Sequence, residues 1–145
     1  MYPPLLDAPA PRLRAYPVTT VVAEKFQALV LLGIANSRLK DFYDLWLIAQ
    51  TFEFDLASLA DAVRQTFARR GTLFPAEKPT GLSDAYAEAW GRQWRAFLGR
   101  ERMAVVPVDL AVVISDLARF LLPVIGPTDG GGRWTPGEGW RAAHE

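Results

Sequence analysis

An all-α domain of about five helices is the fold this sequence predicts, and three observations predict it. Apolar residues recur at three- and four-residue spacing in five separate segments. A glycine, a proline or a capping side chain stands between each segment and the next. The single alternating stretch, Arg12-Leu13-Arg14-Ala15-Tyr16, has no partner strand in view, and a lone strand is unstable.

The elements follow in order. Residues 1–17 read as an extended arm, because Pro3, Pro4, Pro9, Pro11 and Pro17 remove backbone donors and push their predecessors away from helix. Within the arm, residues 12–16 can form one short edge strand. Residues 18–34 form the first helix, with Thr19 or Thr20 as cap and Gly33 at its end. Its apolar positions are Val18, Val22, Phe26, Leu29, Val30 and Leu32, and so apolar a helix is mostly buried. Ser37 can cap a second helix over residues 38–51, with Leu39, Phe42, Tyr43, Trp46 and Ala49 on one face. The linker between these two helices is short, which favours an antiparallel pair. Asp55 caps a third helix over residues 56–70, where Arg69 and Arg70 suit the negative end of the dipole and Gly71 stops it. A fourth opens at Ser83 or Asp84 and runs to about residue 98. A fifth runs from Asp109 to about residue 122 and stops at Pro123. Residues 18–125 thus form the helical domain. Residues 126–145 form a Gly/Pro-rich tail, a loop or disordered, in which Trp134 and Trp140 argue that some part docks.

Composition narrows the chemistry. The 145 residues carry sixteen basic and sixteen acidic side chains, so no net-basic surface for nonspecific nucleic-acid binding is indicated. There is no cysteine, which excludes disulfides, Cys-ligated zinc and thiol catalysis. The single histidine is His144, so neither a His-based triad nor a multi-His metal site is expected. No phosphate-cradling glycine loop and no nucleophile elbow is present. The proline-rich arm is no signal peptide, and Ser115, Asp116, Arg119 and Pro123 interrupt the apolar stretch 110–125. These readings predict a cytoplasmic protein with no membrane partner.

Two polar features stand out. The first is Lys25, one of three lysines among sixteen basic residues, flanked at helical spacing by Val21, Val22, Ala28 and Leu29. An unpaired buried ammonium is costly, so Lys25 must snorkel, pair with Asp41 or Asp44, or line a cleft that takes an anion. The second is the block Arg38-Leu39-Lys40-Asp41-Phe42-Tyr43-Asp44-Leu45-Trp46. Asp41 and Asp44 lie three apart and share a helical face, with Arg38 three before Asp41 and Lys40 four before Asp44. Such a block is either a solvated face of ion pairs or a charged constellation facing Lys25 across a cleft.

Together these blocks resemble one family. Tyr16-Pro17, the run Val21-Val22-Ala23-Glu24-Lys25-Phe26-Gln27-Ala28-Leu29-Val30, and Leu32 to Trp46 with its Arg-x-Lys-Asp-x-Tyr-Asp pattern are similar to the AbiEii/AbiGii nucleotidyltransferase-like toxins. The linker Pro-Ala-Pro-Arg-Leu-Arg-Ala-Tyr-Pro before the first helix and Phe-Ala-Arg-Arg-Gly-Thr after the third extend the likeness. The resemblance implies two lobes. An N-terminal lobe carries a Gly-Ser motif and an Asp-x-Asp-like pair that binds magnesium. A helical C-terminal lobe supplies a phosphate-binding lysine and an aspartate. Carried over, Lys25, Asp41 and Asp44 are the catalytic candidates, and Lys25, Arg38 and Lys40 the nucleotide-phosphate-binding ones.

The sequence contains neither Gly-Ser nor Asp-x-Asp. The resemblance therefore implies a C-terminal helical lobe from a truncated or split gene, with no metal site of its own. Magnesium and a nucleoside triphosphate would be used only once a separate N-terminal lobe completes the site, and without that lobe transfer is not expected. The implied setting is a toxin–antitoxin or phage-defence system. The implied partners are that lobe or an antitoxin protein, a second copy of the chain, and RNA only in the complete enzyme. The alternative is an inactive remnant or interaction domain.

Overall fold

The computed structural model describes residues 17–102, 106–128 and 130–142. The edge strand expected at residues 12–16 lies outside them. Helix α1 spans Val18–Leu32 and begins directly after Pro17, whose carbonyl accepts from the backbone of Thr20 and Val21. Thr19 and Thr20 are inside the helix and cap nothing, because proline already presets the entry. Gly33, at φ +57°, ends α1 in the left-handed region that glycine occupies without strain. A 3-10 turn, Gly33–Ala35, leads to α2, Leu39–Thr51. No side chain caps α2, so the expected Ser37 cap is absent; Asn36 Oδ1 instead closes the preceding turn, accepting from the Arg38 backbone N–H at 2.8 Å. Asp55 caps α3 (Leu56–Arg69) through Ser58 N–H, as the spacing predicts. Ser83 caps α4, Asp84–Glu101, which runs three residues beyond the expected end at 98. Asp109 caps α5, Leu110–Ile125. Pro123 does not stop α5 but sits in its last turn, where few backbone bonds remain to be lost.

The tail is more ordered than its composition suggests. Strands β1 (Phe54–Asp55), β2 (Arg133–Thr135) and β3 (Gly139–Arg141) form an antiparallel sheet in that order, with Phe54 opposite Trp134 and Trp134 opposite Trp140. The β2–β3 hairpin docks by its indoles. Trp134 is buried and donates to the Ala49 carbonyl at 2.8 Å, and Trp140 donates to the Phe120 carbonyl at 3.0 Å. Phe120 touches both rings. Trp134 and Trp140 are the docking residues their apolar bulk implied; the pairing with β1 was invisible because its partner is two residues long.

The fold is a small, mostly all-α bundle, as predicted. Its core runs through Val22, Phe26 and Leu29 of α1, Phe42 and Leu45 of α2, Leu59, Val63 and Phe67 of α3, Trp94 of α4, and Leu117, Phe120 and Leu121 of α5. Helix α1 makes its main interface with α3 and only a smaller one with α2. Ring contact between Phe26 and Phe67, centroids 5.8 Å apart, fixes that pairing. On α2 the buried apolar positions are Leu39, Phe42, Leu45 and Ala49, while Tyr43 and Trp46 are only half-buried. Trp46 instead donates to Asp116 of α5 at 2.9 Å.

Val18–Ala35 has the length and mean hydropathy (1.6) of a membrane span, yet Val22, Ala23, Phe26 and Leu29 within it lie fully inside the core. Its outer side leaves Leu31 and Ile34 exposed.

Gly81, in the 3-10 turn Thr80–Leu82, lies against α1. A Cβ there would meet Leu29 Cδ2 at 2.7 Å and the Leu29 carbonyl at 3.3 Å. Leu29 is fully buried and cannot swing aside. Gly81→Ala is expected to destabilise the fold by about 1–3 kcal/mol, the range for overpacking. Urea unfolding with an unchanged slope measures it; equal midpoints would contradict the packing.

Candidate functional site

The site grows from the junction of α1, α2 and the end of α3. Lys25 is two turns into α1 on a flank next to buried Ala28 and Leu29. Asp41 is in the first turn of α2, where a carboxylate suits the positive end of the helix dipole. The turn between the helices is held from α4: the Tyr86 hydroxyl donates to the Asn36 carbonyl, and Trp90 Nε1 donates to the Ile34 carbonyl at 2.7 Å. That clamp sets where α2 starts, and so where Arg38 and Asp41 stand.

All five sequence candidates meet in one ionic network. Lys25 Nζ lies 3.1 Å from Asp41 Oδ1 and 3.2 Å from Asp44 Oδ2, bridging both carboxylates. Arg38 Nε is 2.8 Å from Asp41 Oδ2. Lys40 Nζ is 2.9 Å from Asp44 Oδ1. Asp41 is buried, Lys25 and Asp44 are partly so, and Arg38 and Lys40 are exposed. Asp41 Oδ2 is buried without an aligned hydrogen-bond donor, since the Arg38 contact is close but poorly directed. The Asn36 side-chain amide N–H₂ is likewise buried and unpartnered.

Burial alone would push the Lys25 ammonium below its ordinary pKa of 10.5. The adjoining Asp41 and Asp44 carboxylates outweigh it, and the net displacement is upward. Burial also raises the Tyr86 hydroxyl. Groups held protonated in the fold contribute stability that is complete below their unfolded-state pKa and is lost as pH rises through the folded value. Stability should therefore hold up to about pH 10 and fall beyond it, the limb between the ordinary lysine value and the raised one being absent in Lys25→Gln. Unfolding free energies measured across the alkaline range test this; an unchanged limb in the variant would refute the assignment.

An open groove of about 510 Å³ adjoins the network. It is lined by Thr20, Glu24, Lys25 and Gln27 of α1, Arg38 at the start of α2, and Arg70 just after α3. Asp41 and Asp44 do not line it. The groove thus presents three cations against one carboxylate, while the two aspartates sit behind Lys25. Glu24 Oε1 is 2.7 Å from Arg70 and Glu24 Oε2 is 2.6 Å from Arg69. Gln27 is buried and donates to Thr72 Oγ1 at 2.8 Å.

Sequence spacing found Lys25, Arg38, Lys40, Asp41 and Asp44. It missed Glu24 and Arg70, since Arg69 and Arg70 read as ordinary cations at a helix end. The arginine pair in Phe-Ala-Arg-Arg-Gly-Thr was the available signal. Of the two open alternatives for the charged block, the structure shows a set of ion pairs: Lys25 meets Asp41 and Asp44 directly and not across a cleft, and neither aspartate lines the groove.

The donor set suits phosphate and does not suit magnesium. Among the described residues no group of three or more His, Cys, Asp or Glu side chains could hold a metal ion. Asp41 and Asp44 are already met by Lys25, Arg38 and Lys40, which would repel a dication. Lysine and arginine, the cations on the groove wall, are residue types that suit phosphoryl oxygens.

Comparison with known proteins identifies a family. The family described as "Nucleotidyl transferase AbiEii toxin, Type IV TA system" matches residues 1–113, a stretch that includes Lys25, Arg38, Lys40, Asp41, Asp44 and Arg70. Neither the curated proteins nor the solved structures provide a match. With most of its length covered, this chain belongs to the AbiEii nucleotidyltransferase toxin family of type IV toxin–antitoxin systems.

Proposed function

We propose that the helical domain holds the polyphosphate of a nucleotide in the groove between α1, α2 and the end of α3. Lys25 and Arg38 contact phosphate oxygens there, and Asp41 and Asp44 hold Lys25 extended toward them. Lys40 keeps Asp44 in place. The observation that carries this reading is the bridging of Lys25 by two carboxylates that stay behind the groove wall. One carboxylate would neutralise an ammonium; two, braced by Arg38 and Lys40, orient it and keep it charged.

Nucleotide transfer needs a metal-holding carboxylate pair that these residues do not supply. In this proposal a metal-holding lobe outside these residues supplies it, and the helical domain acts as the phosphate-holding lobe of a toxin accompanied by an antitoxin. The groove residues bind and orient phosphate, and no bond is made or broken by them alone.

Titration of the purified chain with inorganic triphosphate and with ATP tests the reading. Wild type should bind both. Lys25→Gln should weaken binding about tenfold to a hundredfold, the effect of losing a charge-assisted hydrogen bond. Asp41→Asn should weaken it less, since it acts through Lys25. Equal affinity in Lys25→Gln and wild type, with both folded, would refute it.

A second reading, an interaction domain without turnover, is favoured by the exposed Leu31 and Ile34 at the end of α1. Light scattering decides whether that patch pairs copies: Leu31→Glu should then turn a dimer into a monomer, and a wild-type monomer would end this reading.

A further inference from the structure

The groove lining also carries a feature that the Lys25 network does not use. Glu24 has both oxygens engaged, one by Arg69 and one by Arg70, at 2.6 and 2.7 Å. A carboxylate held by two guanidinium groups has the geometry in which arginine binds a phosphate group's paired oxygens. The clamp bridges two helices, because Glu24 is on α1 and Arg69 and Arg70 are at the end of α3. Only Glu24 and Arg70 of the three reach the groove. Arg69 and Arg70 are more than half exposed, at 57% and 53%. Exposed pairs of this kind contribute little. Glu24 can therefore be displaced at small cost by an anion that carries more charge.

The arginines also keep spare donors. Arg70 makes one contact through Nη2 and Arg38 one through Nε, among the described residues. A guanidinium has five N–H donors, so most of each fork remains open to a ligand. A single cation would satisfy the dipole at this helix end.

We propose that Arg70, with Arg69, forms a second phosphate seat in the groove, outside the Lys25 ion-pair network, and that Glu24 occupies this seat in the ligand-free protein as a displaceable internal anion. The ligand is a phosphate oxyanion group. Its source is either the far end of the nucleotide's own phosphate chain or the phosphodiester backbone of an RNA strand. Glu24 then acts as a gate, admitting only anions that outcompete a carboxylate for two guanidinium groups. This rests on reading the groove as a phosphate site.

Two variants should move affinity in opposite directions, which a merely structural ion pair would not do. The full chain is titrated with inorganic triphosphate, and separately with a short single-stranded RNA lacking a terminal phosphate. Glu24→Gln should tighten binding about threefold to tenfold by unmasking the seat, while Arg70→Gln should weaken it about tenfold. Arg70→Lys, which keeps the charge but loses the fork, should fall between Arg70→Gln and wild type. The probe whose affinity shifts identifies the source. Weaker or unchanged binding in Glu24→Gln, or unchanged binding in Arg70→Gln, overturns the seat. If Lys25→Gln is silent while Glu24→Gln and Arg70→Gln respond as stated, the seat stands and the Lys25 reading falls; the reverse pattern removes only the seat. Failure of both probes to bind wild type and Glu24→Gln overturns both.

Discussion

Trp134→Ala should lower the free energy of unfolding by about 3–5 kcal/mol, the range for removing a large aromatic from a packed core. Domains of this size are stable by only about 5–15 kcal/mol, so the variant should be partly unfolded at modest temperatures. The indole is 3% exposed, with its N–H on the Ala49 carbonyl and its ring against Phe120 and Trp140. Removing it opens a cavity and strands a carbonyl. It also takes away the residue by which β2 lies opposite Phe54. Trp46→Ala is the control: its ring is half-buried and its N–H meets Asp116, so about 2–3 kcal/mol is expected. Denaturant unfolding of both variants measures the contrast. Equal costs would mean that the C-terminal hairpin contributes no more than a surface strap.

Lys25→Met should cost about 2–4 kcal/mol, because it leaves Asp41 and Asp44 converging on a point with no ammonium. The lower part of the usual range applies because the Lys25 side chain retains 23% of its exposure and water can reach the gap. In Lys25→Met/Asp41→Leu most of that loss should return, since an apolar pair carries no desolvation penalty. Triphosphate binding should stay lost in the double variant. Recovered stability without recovered binding would show that the charged pair is kept for the ligand. A double variant no more stable than Lys25→Met would instead make the network a support of the fold.

Much of this was legible in the sequence for local reasons. Helix positions follow from a 3.6-residue period that each segment states by itself, and Asp55 and Ser83 cap where a short acceptor side chain precedes an apolar run. The spacing of Arg38, Lys40, Asp41 and Asp44 sets their shared face for the same reason. Other features failed locally. Ser37 looked like a cap, but α2 has no side-chain cap; Asn36 is buried with its carbonyl tied to Tyr86, 50 residues away, and its Oδ1 holds the turn before the helix through the Arg38 N–H. Pro123 looked like a stop, but only the last turn of α5 follows it.

By itself, then, the sequence determined the five helices, the caps Asp55 and Ser83, the family, and the five charged side chains that belong together, because each depends on neighbours within about one or two helical turns. Only the tertiary structure decided that α1 rests chiefly on α3, that a two-residue strand recruits the C-terminal hairpin, and that Glu24 and Arg70 stand on the same groove as Lys25. Those outcomes depend on how side chains dozens of residues apart fit one another in space, and no periodicity along the chain encodes that fit.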